Sequence, residues 1–199
     1  MTSEDHRSDR IVLKRTHAEG EVQTFADELG WPRMGEQDED LDVGQSREVM
    51  WGAGTALSLH YVHDPISRND YVMTWGVDET AVDALARLAA GRLDVWSPAE
   101  LCAAVEAAAD PQERAAAVLR TGLGAPEAFD QGSFDCIITA MADPDTNVRE
   151  AAIHATVFSP YTQYRDALQR IADSDPDPNR REDASIVLES QHVNEDGLR

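Results

Sequence analysis

A ten-residue stretch, Asp143-Pro144-Asp145-Thr146-Asn147-Val148-Arg149-Glu150-Ala151-Ala152, returns 32 positions later as Asp175-Pro176-Asp177-Pro178-Asn179-Arg180-Arg181-Glu182-Asp183-Ala184, with seven of the ten residues identical. A shortened copy, Asp110-Pro111-Gln112-Glu113-Arg114-Ala115-Ala116, stands 33 residues before the first. Recurrence at a fixed period is the mark of a small helical unit stacked on copies of itself, since one unit alone cannot bury its apolar face. The chemistry of the stretch fits such a unit. Asp-Pro closes one helix, because proline lacks the amide donor and pushes the residue before it out of the α region. The second Asp, or Asn147 and Asn179, caps the next helix. Arg then falls in the first turn, and the small pair Ala151-Ala152 lets two helices approach closely.

These residues resemble HEAT repeats, in particular the short HEAT-like repeats of phycobilisome lyases, whose motif reads roughly Asp-Pro-x-x-x-Val-Arg-x-x-Ala-Ala. The resemblance is closest at Asp143 to Ala152, departs at Arg180 where the motif has valine, and is weakest at Asp110 to Ala116. It extends over about residues 97–191 and leaves the N-terminal half uncovered. It implies that Arg114, Arg149 and Arg181 pair with aspartates of their own or a neighbouring repeat, Asp143, Asp145, Asp175 and Asp177 being at hand. Asp143, Arg149, Asp175 and Arg181 are therefore expected to be structural. The resemblance also implies that the second helix of each pair lines a concave surface, which puts Glu150, His154, Glu182 and Ile186 in a groove.

The rest of the chain supplies helices for such an array. Ser97-Pro98-Ala99-Glu100 is a start signal, with a serine cap, proline at the first position and an acid in the first turn. Leu101, Val105 and Ala108, then Ala115 to Leu123, Phe134 to Met141, Val148 to Val157, Tyr161 to Ile171 and Arg181 to Leu188, give three helical hairpins. Val82, Leu85, Ala86, Leu88 and Ala89 form a further stripe, so the array is expected over 79–191, with a polar tail at 192–199. Upstream, the period changes. Thr55, Leu57, Leu59, Tyr61 and His63 alternate with other residues, as do Tyr71, Met73, Trp75 and Val77 after Asp64-Pro65-Ile66-Ser67-Arg68-Asn69, which predicts a β-hairpin over 55–77. A lone hairpin is marginal in water. Its apolar face is therefore expected to pack on the helices at 20–29 and 79–91, making a small α/β unit whose bounds are set at 10–78, with 32–44 as an acidic linker and 1–9 as a disordered tail. The expected fold is mainly α, a HEAT-like array with this small α/β unit before it.

Composition sets the function classes aside or admits them. At 42% hydrophobic residues the chain can fill a core. The net charge is −21, and every quarter of the chain is negative. Nucleic acid is thereby disfavoured as a partner, since phosphate contacts need Lys and Arg, and Lys14 is the single lysine among 17 basic residues. No stretch resembles a signal peptide or a membrane span, which predicts a cytoplasmic protein without a membrane partner. Cys102 and Cys136 fall on apolar faces of predicted helices and read as buried free thiols.

No catalytic, cofactor or metal site is expected. His60, His63 and Asp64 tempt a metal assignment, but an offset of three on a strand puts the two imidazoles on opposite faces. Asp5, His6, Asp9 and His17 lie in or near the tail. Gly52-Ala53-Gly54 lacks the third glycine and the helix start of a phosphate loop. Glu36 and Asp38 read as solvated charge. Tyr161 and Tyr164, in the Phe158-to-Tyr164 connection, join Glu150, His154 and Glu182 as candidate partner-binding residues, and Trp51 and Trp96 flank the α/β unit. The sequence thus points to a non-enzymatic scaffold or adaptor that binds another protein, with acidity favouring a basic one. Two alternatives stand beside it: an acidic inhibitor or immunity-type protein of a basic nuclease, and an enzyme or lyase-type subunit.

Overall fold

The computed structural model describes residues 5–54 and 56–197. The chain forms two compact units, divided between Trp96 and Ser97.

The first unit is built on an antiparallel sheet. Its strands are β1 (His6–Arg7), β2 (Ile11–Val12), β3 (Arg33–Gln37), β4 (Arg47–Gly52), β5 (Leu57–Asp64) and β6 (Asn69–Gly76), with helices α1 (Glu19–Glu28) and α2 (Glu79–Arg92). The order is β1-β6-β5-β4-β3, and β2 also pairs with β6. The hairpin β5–β6 sets the register, with Leu59 opposite Thr74 and Tyr61 opposite Val72. Its turn is held by Asp64, whose carboxylate accepts the Ser67 amide at 2.6 Å. One face carries Val49, Trp51, Leu59, Tyr61 and Val72, which bury against Val22, Phe25 and Ala26 of α1 and Leu85 and Ala89 of α2. Trp51 is wholly buried, and its indole N–H donates to Gln23 at 2.9 Å.

Three boundaries in this unit differ from the sequence expectation. The segment expected as an acidic linker contains β3, which pairs with β4 through a bulge after Arg33. Its charges are neutralised within the sheet, where Arg47 donates to Glu36 at 2.9 Å and to Asp38 at 2.7 Å. An edge strand exposed along most of its length needs no apolar alternation, so composition hid it. Within the expected N-terminal tail, His6–Arg7 pairs with β6, while residues 1–4 lie outside the described residues. Helix α2, placed within the bounds of the array but also expected to cover the hairpin, belongs to the sheet unit: Leu85 and Ala89 pack in its core, and Thr74 Oγ1 donates to the Val82 carbonyl at 2.9 Å.

The second unit consists of α3 (Pro98–Ala107), α4 (Pro111–Gly124), α5 (Gln131–Ala140), α6 (Thr146–Phe158), a 3-10 turn (Thr162–Tyr164), α7 (Arg165–Ser174) and α8 (Pro178–Gly197). Local signals start α3, α4, α5 and α6. Ser97 and Glu100 form a reciprocal capping box, and Asp110, Asp130 and Asp145 accept the amides of Glu113, Ser133 and Asn147. Successive helices pair as α3/α4, α5/α6 and α7/α8; second helices α4, α6 and α8 pack in sequence, and first helices α3 and α5 pack on each other. Val118, Ile137, Val148, Ala152, Ile153, Leu168 and Ala184 fill the centre. Helix α8 runs on to Gly197 where a polar tail was expected, since no glycine or proline interrupts it after Pro178. Residues 198–199 lie outside the described residues.

Helices α4 and α6 approach closely at Gly122 of α4, where an added Cβ would stand 2.6 Å from the Ala155 Cβ of α6. Gly122→Ala should therefore destabilise the protein by about 1–2 kcal/mol in urea unfolding, overcrowding outweighing the gain in helix propensity. Gly91→Ala in α2, where nothing lies within 4 Å of the added carbon, should instead be neutral or stabilising by up to about 1 kcal/mol.

Candidate functional site

The recurring motif builds a chain of ion pairs through the second unit. Asp143 and Asp175 follow α5 and α7, and each turns its carboxylate back on the Asp-Pro-Asp bend, accepting the amides of Asp145 at 2.8 Å and Asp177 at 2.9 Å. Arg149, in the first turn of α6, makes a two-pronged contact with Asp175 of the following repeat, Nε to Oδ2 at 2.7 Å and Nη2 to Oδ1 at 2.9 Å. Its Nη1 also donates to the carbonyls of Asp143 and Pro144 at 3.0 and 3.1 Å. Arg114 repeats the link one unit earlier, reaching Asp143 at 3.0 Å. Arg181 donates to the Asp175 carbonyl at 2.6 Å. A parallel bond joins Thr146 to Asp177 at 3.0 Å.

Both partners of the central pair are buried, Arg149 at 8% and Asp175 at 7% exposure. Hydrogen bonds from Arg149 hold the Asp175 carboxyl below the usual carboxylate range, and the same contact raises the arginine. These side chains are committed to one another and to the backbone, so they hold the repeats in place and offer a ligand little.

The sites offered by the second helices are different. Glu150 and Glu182, and likewise His154 and Ile186, occupy equivalent positions on α6 and α8. His154 is half-buried, Glu182 exposed, and Ile186 is 57% exposed. Val157, one turn beyond His154 on the same face of α6, is also 57% exposed. Sequence reading passed over Val157, although its spacing of seven from Glu150 was the available signal. Glu150 is partly used within the fold: Arg180, at the position Val148 fills in the previous repeat, is buried and forms an ion pair with it.

Tyr161 and Tyr164, candidates for partner contact from sequence, require correction. Tyr164 is wholly buried and Tyr161 nearly so. The two rings stack at 5.5 Å, Phe134 stacks on Tyr164 at 5.2 Å, and Phe129 meets Tyr161 edge-on at 5.3 Å. The Tyr161 hydroxyl donates to the Pro126 carbonyl at 2.6 Å. This aromatic cluster joins the connections on either side of α5 and α6, which leaves neither tyrosine to a partner.

In the first unit the polar centre is Asp70, wholly buried on β6. It accepts from the Ala18 amide at 2.8 Å, the Tyr61 hydroxyl at 2.6 Å and His63 Nδ1 at 2.6 Å. Burial, then this bond to Asp70, pushes the Tyr61 phenol above its ordinary range and keeps it a donor. The His63 ring stacks on His17 at 5.3 Å, beside a cleft of about 360 Å³ that also meets Glu39 and Arg68. His60 projects from the opposite face, between Glu48 at 2.7 Å and Ser58 at 2.8 Å. That Ser-His-Glu chain has the order of a hydrolytic relay. Yet Ser58, near the start of β5, pairs with Gly52 and Trp75, and its Oγ faces the Trp75 carbonyl at 3.3 Å. An oxyanion there would meet an acceptor where donors are needed. Among the described residues, no three His, Cys, Asp or Glu side chains are grouped to hold a metal ion. Trp96 packs under the Lys14 ammonium at 5.7 Å. Among the described residues, no helix is long and apolar enough to cross a membrane.

Arg149→Ala should cost about 3 kcal/mol in urea unfolding at pH 7, because it strands a buried carboxylate. The folded Asp175 value is the lower one, so the pair stabilises fully above the unfolded carboxylate value of about 4 and is lost as pH falls through the folded value. Asp175→Asn should accordingly be less stable at pH 7 and show a flatter stability profile between about pH 5 and 2.

Comparison with known proteins agrees with this geometry over part of the chain. No curated protein and no solved structure matches it. Residues 98–189 match the family model for HEAT repeats. Over that segment, where the motif, the caps and the arginine–aspartate pairs recur, the chain is similar to the HEAT-repeat family.

Proposed function

We propose that this protein is a non-catalytic binding module whose second helices receive a basic, partly apolar segment of another protein. HEAT repeats generally mediate protein–protein interaction. The observation that carries the finer reading is the solvent face of α6 and α8. Val157 and Ile186 stand exposed there as large apolar side chains, with Glu150 and Glu182 at equivalent positions along the same helices. Exposed apolar anchors with an exposed acid, Glu182, one turn before Ile186 suit a partner that carries both aliphatic and basic residues. The charge of −21 adds a long-range field that draws such a partner in and turns acidic proteins away. Because these anchors project to solvent and lie outside the buried core, replacing them tests binding without emptying the fold.

The test is affinity capture from lysate of the source cell with the wild type and a Val157→Asp/Ile186→Asp variant, side by side at low and moderate salt. A basic protein should be retained by the wild type, released as salt rises, and bound at least about tenfold more weakly by the variant, whose thermal unfolding is unchanged. Equal retention by both proteins would remove α6 and α8 as the docking face.

A further inference from the structure

Cys102 on α3 and Cys136 on α5 stand side by side. The two helices are the first members of successive hairpins and pack on each other. Cys102 Sγ lies 3.7 Å from the Gly132 carbonyl of α5, one turn before Cys136. Both are free thiols. Both open onto a cleft of about 240 Å³ that is also lined by Val105, Glu106, Arg114 and Thr139. Sequence gave no hint of this pairing, because the two residues are 34 positions apart and meet only through the stacking of the repeats.

We propose that Cys102 and Cys136 form a reversible oxidation site whose co-reactant is a low-molecular-weight disulfide, and that its oxidation joins α3 to α5 through a protein disulfide. The Cys102 thiolate attacks one sulfur of the small disulfide and releases the first small thiolate. Cys136, as thiolate, then attacks Cys102 Sγ and releases the second. One S–S bond forms in the protein and one is broken in the reagent. The two protein thiols are oxidised, the reagent is reduced to two thiols, and the two protons lost from the protein are taken up by them.

The order of attack follows from the surroundings. Burial pushes Cys136 up to about 12, so it rarely ionises unaided. Cys102 is also raised, by burial and by the nearby charges of Asp130 and Glu106, and it is the less strongly shifted of the two. Both thiols therefore resist casual oxidation, and the reaction is selective because the second thiol is already in place once the first has reacted. The resulting link would tie the first hairpin to the second. It is independent of partner binding at α6 and α8.

The test is incubation of the native wild-type protein with oxidised glutathione, followed by intact mass and peptide mapping. The expected product has lost two hydrogens, keeps no glutathione, and yields a linked pair of Cys102 and Cys136 peptides. Its Tm should rise by about 5–10 °C and return on treatment with dithiothreitol. Cys136→Ser should stop at a glutathione adduct on Cys102. Glutathione retained on both cysteines of the wild type without a link would overturn the proposal. So would a native protein that stays unreacted while its urea-unfolded form reacts at both thiols.

Discussion

The second unit depends on one contact, the two-pronged pair between Arg149 and Asp175. A guanidinium buried at the start of α6 would be costly alone, and so would a carboxylate buried at the end of α7. Together they satisfy each other, and the remaining donor of Arg149 takes two carbonyls, of Asp143 and Pro144, that the Asp-Pro bend leaves without helical partners. The same side chain thus fastens its own repeat's bend and reaches the next repeat. Arg114 makes the link to the next repeat, at Asp143, earlier in the stack, and Arg181 fastens its own bend, at the Asp175 carbonyl, at its end. Spacing between repeats is set by these polar links, and the small residues Gly122, Ala152 and Ala155 permit the approach that the links require.

The sheet unit solves a similar problem with a single residue. Asp70 collects donors from β5 and from the residue that begins α1, so a buried charge joins helix to sheet at the edge of the apolar core. His17 and Arg68, flanking the adjacent cleft, both hold a left-handed backbone at φ of 58° and 55°. The Asx turn at Asp64 and the demand of Asp70 for the Ala18 amide account for the local chain reversals beside them.

Much of the helical half was legible because its signals are local. Asp-Pro, the serine and aspartate caps and the recurrent arginine all act within one or two turns, and the repeat makes each signal appear more than once. What escaped reading depends on distant neighbours. Strand β3 is acidic and exposed; it pairs with β4, and Arg47 on β4 neutralises Glu36 and Asp38. The stripe on α2 is helical by any pattern and the lone hairpin needs a cover, yet neither signal fixes on which side of α2 the unit ends. Tyr161 and Tyr164 have the composition of an interface and the location of a core, a distinction made by Phe129 and Phe134 from another repeat. For the candidate face, spacing from the motif located Glu150, His154, Glu182 and Ile186. It did not foresee that Arg180 would claim Glu150, since that follows from an arginine placed where the motif has valine.

A surface suited to protein binding emerges where the internal pairing stops. The first-turn arginines face inward and are consumed, whereas Val157, Glu182 and Ile186, further along the second helices, remain exposed. Hydrogen–deuterium exchange of the protein, free and saturated with its captured partner, reads this division directly. Slowed exchange concentrated in α6 and α8 is the expected result. Slowed exchange confined to the sheet unit, with α6 and α8 unchanged, would contradict it.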